Sequence, residues 1–422
     1  MKNLSLSVKL KSISVFSAAM RDENGILSCL AELSEIATEQ TAEETNEYSP
    51  YAEYNEQLFA EACAKVYSSL IENGKLMPLS DKIFAQLSSD ENPLSWQLLR
   101  GEKPSRELLE RAKEEYGYIC DLATMSPDCF ADKLPPELIK ILPKWQTKAL
   151  KPFSALINAY KKNGCGVFGE SIAFSWDSEN KTLVPVTSVD TIRLSDLKEY
   201  AEEKQTIINN TTAYLKGLPA NNVLLYGDRG TGKSSTVHAI LNEYAKDGLR
   251  LVEMNKSAIT DFPLLVAAIS QAKRFKFIIF IDDLSFSDGD NDYAALKAAL
   301  EGSISKTPNI LIYATTNRRH LIKESHSDRD DDVHRNDTTQ EQLSLSDRFG
   351  LVITFINPDK KEFCTILKAI LHDRKIDSFD DEKLSLYAER YAIKKGGRSP
   401  RAARQLADII ETSIKTGTEI DF

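Results

Sequence analysis

Residues 227–234 read Gly-Asp-Arg-Gly-Thr-Gly-Lys-Ser, the G-x-x-x-x-G-K-S spacing of a loop that cradles phosphate. Gly227, Gly230 and Gly232 allow unusual dihedrals and a close backbone approach to an anion. Backbone N–H groups in such a turn, with the positive end of the following helix, form a concave anion site. Lys233 supplies a point charge to the β- and γ-phosphates of a nucleotide, and Ser234 supplies an oxygen for Mg²⁺. Asp228, Thr231 and Ser235 fall in the same nucleotide-binding stretch. Arg229 is either a phosphate contact or, the plainer reading, a solvated loop arginine.

A second chemical signal lies at residues 277–283, Phe-Ile-Ile-Phe-Ile-Asp-Asp. An apolar strand ending in carboxylates suits a Mg²⁺ site beside a phosphate loop, because ligands sit at the strand ends of such sheets. Asp282 is the candidate metal residue, holding the ion through its water. Asp283 is the candidate that orients or deprotonates an attacking water. Asn317, after the strand at 309–315, is placed to hydrogen-bond the γ-phosphate or that water; a turn-forming Asn is the rival reading. Arg348 can stabilise charge on a transferring phosphoryl group, or simply pair with a local carboxylate such as Asp347. Arg401, at the start of the last helix after Pro400, can reach back to the nucleotide. Arg398 and Arg404 are neighbouring alternatives, and a solvated basic helix is the plain one.

These residues need elements to hold them. From residue 222 onward the pattern alternates strand and helix, with strands expected at 223–226, 250–254, 277–282, 309–315 and 351–355. Helices are expected to about residue 246, then at 261–272 with Pro263 in the first turn, and at 293–304. Continuous apolar strands buried on both faces imply a parallel sheet covered by helices. The expected fold class is α/β: a P-loop core of five parallel strands flanked by helices, a small helical lid and a mostly helical N-terminal domain. The expected domains are 1–150, helix-rich; 151–216, a linker region with two or three short strands and a helix at 195–215; 217–357, the nucleotide-binding core; and 358–422, the lid. Lid helices are expected at 360–372, 382–393 and 399–415. The polar stretch 323–346 reads as an insertion loop, and the acidic stretch 39–56 as exposed.

The 422 residues allow two or three domains. With 42% hydrophobic and 27% charged residues, the chain is globular and not disordered. A net charge of −10 argues against broad electrostatic binding to nucleic acid or anionic membrane, although a local basic patch is compatible with it. No apolar run approaches the length of a spanning helix. Lys9 and Lys11 interrupt any signal-peptide core, so the first segment reads as an amphipathic element of the helical domain, with a transit peptide as the sharper alternative. Six scattered cysteines without a C-x-x-C pair fit a reducing cytoplasm. His320, His326 and His334 have no ligand spacing, and Trp96, Trp145 and Trp176 read as packing residues. The basic run 273–276 reads as the lead into a strand. Nothing supports a Ser-His-Asp or Cys-His hydrolase.

The runs at 219–235, 276–286, 310–321, 343–351 and 397–405 resemble, in order, those of the AAA+ ATPases. More narrowly, the chain is similar to the bacterial family of domain of unknown function 815, over about residues 164–408. The resemblance implies a five-stranded AAA+ core with a helical lid. It assigns Walker A to 227–234, Walker B to 277–283, sensor 1 to Asn317, the arginine finger to Arg348 and sensor 2 to Arg401. The second Walker B carboxylate of AAA+ proteins is usually Glu, and here it is Asp283, one methylene shorter. The expected function is hydrolysis of ATP to ADP and phosphate with Mg²⁺, driving conformational work on a macromolecular partner. A homo-oligomer, such as a ring, is expected. The alternative is an ATP-gated module, loader or adaptor with little hydrolysis, one form of which associates with DNA.

Overall fold

The computed structural model describes residues 5–42, 51–285, 291–300, 307–317, 348–376 and 380–418. The expected insertion 323–346, with its histidines, and much of the acidic stretch 39–56 lie outside them. The chain divides into two compact units, residues 1–170 with 272–274, and residues 171–271 with 275–422.

The first unit is helical, as its four-residue apolar spacing requires. Helices α1 (Leu6–Lys11), α2 (Ser17–Arg21), α3 (Ile26–Ala42) and α4 (Tyr51–Ser69) precede a two-residue hairpin, β1 (Ile71–Glu72) and β2 (Lys75–Leu76). Then follow α5 (Leu79–Ser89), α6 (Pro93–Leu99), α7 (Arg106–Ala123), α8 (Pro136–Ile141), α9 (Phe153–Asn163) and α10 (Val167–Glu170). Phe16, Leu30, Phe59, Val66, Leu87 and Ile119 are fully buried in its core. Glu115 on α7 is fully buried too. Its carboxylate accepts from the Ser14 hydroxyl, from the backbone N–H groups of Ser14, Val15 and Phe16, and from Arg111. Such multiple satisfaction is what permits a charge inside. Trp145 is buried and donates to the Met125 carbonyl, a packing role as expected.

The second unit is built on a seven-stranded sheet. Its strands are β3 (Ala173–Asp177), β4 (Thr182–Pro185), β5 (Val223–Gly227), β6 (Leu249–Glu253), β7 (Lys276–Ile281), β8 (Ile310–Thr316) and β9 (Leu351–Phe355). Their spatial order is β4-β3-β6-β7-β8-β5-β9. The five expected strands run parallel, and each lies within a residue or two of its expected place. The sheet is wider than expected because β3 adds in parallel to β6, Ala173 opposite Leu251, and β4 folds back on β3. Short strands satisfy their backbone groups only beside a partner, and the edge of β6 provides one. Residues 151–216, expected as one linker region, are therefore divided between the two units at residue 170.

Helices α11 (Ala201–Leu215) and α12 (Lys233–Tyr244) bury Ile207, Tyr214, Val237 and Ile240 against one face of the sheet, on Leu225, Ile278, Phe280 and Ile353. Helix α13 (Phe262–Ser270) has Pro263 in its first turn, and α14 (Asn291–Leu300) follows β7. The expected helix at 195–215 starts later: a 3₁₀ turn covers Leu194–Asp196, and left-handed Tyr200 (φ 62°) precedes α11. The lid comprises α15 (Lys360–Asp373), α16 (Asp381–Lys395) and α17 (Pro400–Thr416), packed around Phe363, Leu367, Tyr391 and Leu406. Asp359 and Glu362 form a reciprocal capping box at the start of α15. Ser399 caps α17, whose first residue is Pro400.

Candidate nucleotide site

The glycine-rich turn links β5 to α12, as its spacing predicts. Gly227 has φ 142°, and a Cβ there would stand 1.9 Å from the Phe355 carbonyl oxygen of β9. Only glycine lets the two strands come this close. Gly232, left-handed at φ 94°, starts α12. Asp228 is fixed on both sides: its N–H donates to the Phe355 carbonyl at 3.0 Å, and its carboxylate accepts from the Asn357 N–H at 3.0 Å. The Thr231 hydroxyl donates to the Asp228 carbonyl at 2.8 Å. Arg229 is exposed.

Lys233 is buried at the first position of α12. Its ammonium donates to the carbonyls of Gly227 (2.8 Å) and Asp228 (2.7 Å) and to Asn317 Oδ1 (2.9 Å), which engages all three of its protons. Burial pushes the Lys233 ammonium below its ordinary pKa, against the opposing pull of Asp228, Asp282 and Asp283.

The carboxylates lie just beyond β7. Ser234 Oγ donates to Asp282 Oδ1 at 2.6 Å, so the two candidate metal residues present oxygens side by side. A hydroxyl and a carboxylate are hard oxygen donors of the kind Mg²⁺ takes, so the residues present fit that ion. Asp283 is held in the left-handed region at φ 51°. Asn317 Nδ2 donates to Asp283 Oδ1 at 2.8 Å, so one amide bridges Lys233 and Asp283.

Thr315, which the sequence reading missed, bonds both aspartates, Asp282 through its carboxylate and Asp283 through its backbone. Its buried hydroxyl donates to Asp282 Oδ1 and accepts from the Asp283 N–H at 2.9 Å. The signal was a hydroxyl residue at the end of an otherwise apolar strand, read there only as part of that strand.

The lid meets the glycine loop. The Arg401 N–H donates to the Gly230 carbonyl at 3.2 Å, and a Cβ on Gly230 would lie 3.2 Å from that of Arg401. A cavity of about 260 Å³ opens here. Gly230, Gly232 and Ser235 line it from the loop, Ile366, Ile370, Arg401 and Arg404 from the lid, and Ile192, Asp196, Leu197 and Lys198 from the stretch before α11. This stretch was the other omission, since nothing in its residue types marks a cavity wall. Of the three candidate arginines, Arg398 is engaged elsewhere, by two bonds to Glu389 on α16 at 2.9 and 2.8 Å. Arg348 is half-buried just before β9. Among the described residues no cluster of three His, Cys, Asp or Glu could hold a metal, and no helix is long and apolar enough to cross a membrane.

A phosphate loop between β5 and α12, paired carboxylates after β7, a polar residue after β8 and a helical lid against the loop define the second unit as an AAA+ ATPase fold. The chain belongs to the DUF815 family of proteins of unknown function, whose profile matches residues 169–414. Among curated proteins it is similar to the replication factor C large subunit of Nanoarchaeum equitans, with 24% identity over 227 residues, 52% of this chain and 46% of that one. The corresponding subunit of Staphylothermus marinus is 34% identical over 118 residues, 26% of each chain. The chain thus spans less than half the length of these relatives. Among solved structures, the Thermotoga maritima RuvB Holliday junction branch migration motor matches with 17% identity and a TM-score of 0.37, over 54% of this chain and 66% of that one.

Proposed function

We propose that the chain binds Mg-ATP in the loop 227–235 and hydrolyses it to ADP and phosphate. The observation that carries this reading is the single network joining Lys233, Asn317 and Asp283, with the Ser234–Asp282 oxygen pair beside it. In this reading the loop N–H groups and Lys233 bind the triphosphate, and the cavity beside the lid receives the nucleoside. Ser234 and Asp282 would hold Mg²⁺, which when bound neutralises phosphate charge. Asp283 accepts a proton from, or orients, the attacking water, with Asn317 fixing its carboxylate. Arg401 stands at the loop to neutralise phosphate charge. Arg348, the arginine-finger candidate before β9, acts in trans on a neighbouring copy, so turnover requires assembly into a homo-oligomer, such as a ring.

Nucleotide-dependent movement of the lid against the core then works on a macromolecular partner in the cytoplasm. Because replication factor C subunits are the curated relatives, DNA is the partner class to test first, although the net charge of −10 gives no broad electrostatic footprint. Calorimetry with Mg-ATP tests the core of the proposal. Wild-type chain should bind, and Lys233→Ala should lose binding and turnover together. Full ATPase activity in Lys233→Ala refutes the site.

A second reading, an ATP-gated binding module, is favoured by the short, left-handed Asp283. Tight ATP binding with negligible turnover at every protein concentration would select it.

A further inference from the structure

One wall of the cavity belongs to neither the sheet nor the lid. It is the irregular stretch 190–198, which contributes Ile192, Asp196, Leu197 and Lys198. A segment without a strand ladder needs other partners for its backbone groups. Asn242 supplies them at one end. Its Nδ2 donates to the carbonyls of Asp190 at 2.6 Å and Ile192 at 2.8 Å, so both amide protons go to one short turn. The Asp190 carboxylate closes that turn by accepting from the Ile192 N–H at 3.1 Å. The other end is tied differently: Lys204 donates to the Leu197 carbonyl, Arg404 donates to the Asp196 carbonyl at 3.4 Å, and Lys198 pairs with Asp373 of α15.

Asn242 lies in the last turn of α12, the helix whose first residue is Lys233. One helix therefore faces the phosphate loop at its start and grips the cavity wall at its end. We infer that Asn242 is a positioning residue for the nucleoside half of the ligand, holding the wall 190–198 in place without touching the phosphates. The inference rests on the nucleotide reading above. It separates the affinity of the site into two parts, one from the loop and one from a wall that α12 carries along with it.

The test compares wild type, Asn242→Ala and Asn242→Asp in calorimetric titrations with Mg-ATP and, separately, with magnesium tripolyphosphate. The aspartate keeps the side-chain shape but loses both donors. Losing two hydrogen bonds to the wall should weaken ATP binding about ten-fold. Tripolyphosphate binding should stay within about two-fold, and KM for ATP should rise with kcat held. Ile192→Ser, a side-chain change on the wall itself that leaves Asn242 in place, should give the same split if an Asn242 variant folds poorly. Unchanged ATP affinity, or equal weakening for both ligands, in variants of wild-type melting behaviour overturns the inference and leaves the nucleotide reading standing. Wild-type chain that binds neither ligand overturns both.

Discussion

Asn317 does two jobs with one amide: its oxygen accepts from Lys233 and its nitrogen donates to Asp283. In the proposed reading, a group placed there couples the phosphate end of the site to Asp283. If Asp283 is the base, Asp283→Asn should spare Mg-ATP binding while lowering turnover about 10²–10⁴-fold. Single-turnover kinetics beside calorimetry checks both halves, and an unchanged rate removes that role. A second titratable residue lies in the helical unit. Burial raises the Asp90 carboxyl to about 6, against hydrogen bonds from Asn92 and the Ala19 N–H. A raised carboxyl favours the folded state when protonated. Its contribution is therefore full below pH 3.8, the ordinary value, and lost as pH rises through about 6. Asp90→Asn should flatten the fall in stability between these values and leave the variant more stable than wild type at neutral pH. Denaturant melts at several pH values read this directly, and parallel curves for the two proteins would count against it.

At the level of elements, the glycine loop works because β9 presses on it. Gly227→Ala would place a methyl carbon 1.9 Å from the Phe355 carbonyl in a conformation that L residues avoid. The expected cost is at least about 2 kcal/mol of stability, seen as a lower denaturation midpoint. A variant as stable as wild type would mean that β9 does not hold its place. The glycines were legible as a motif, but Phe355 as the reason for Gly227 was not, because the two residues are far apart in the chain. The five parallel strands were legible because strands buried on both faces read as continuous apolar runs. Strands β3 and β4 were foreseen only as local strands, since two short half-buried segments do not name the edge they join. The late start of α11 was hidden for a similar reason: left-handed Tyr200 has no residue-type signature.

For the whole molecule, the decisive question is whether one copy suffices. In the proposed reading Arg348 acts on a neighbouring copy. Specific ATPase activity should then rise with protein concentration, in step with assembly measured by light scattering. Arg348→Ala should lower turnover by about 10³-fold or more without changing nucleotide affinity. Activity that is independent of concentration in a monomeric protein would place the complete site within one chain.

Residue type and spacing alone determined the phosphate loop, the acidic end of the apolar run at 277–283 and the helical lid. Those features are local: a loop, a strand and a helix each carry their own pattern over a few neighbouring residues. Tertiary structure decided which arginine meets the loop, that Thr315 ties the Asp282 carboxylate to the Asp283 backbone, and that residues 190–198 wall the cavity. Each depends on a contact between segments distant in the chain. Such contacts arise only when the sheet and lid pack, and the identity of a distant partner leaves no mark on the spacing of neighbouring residues.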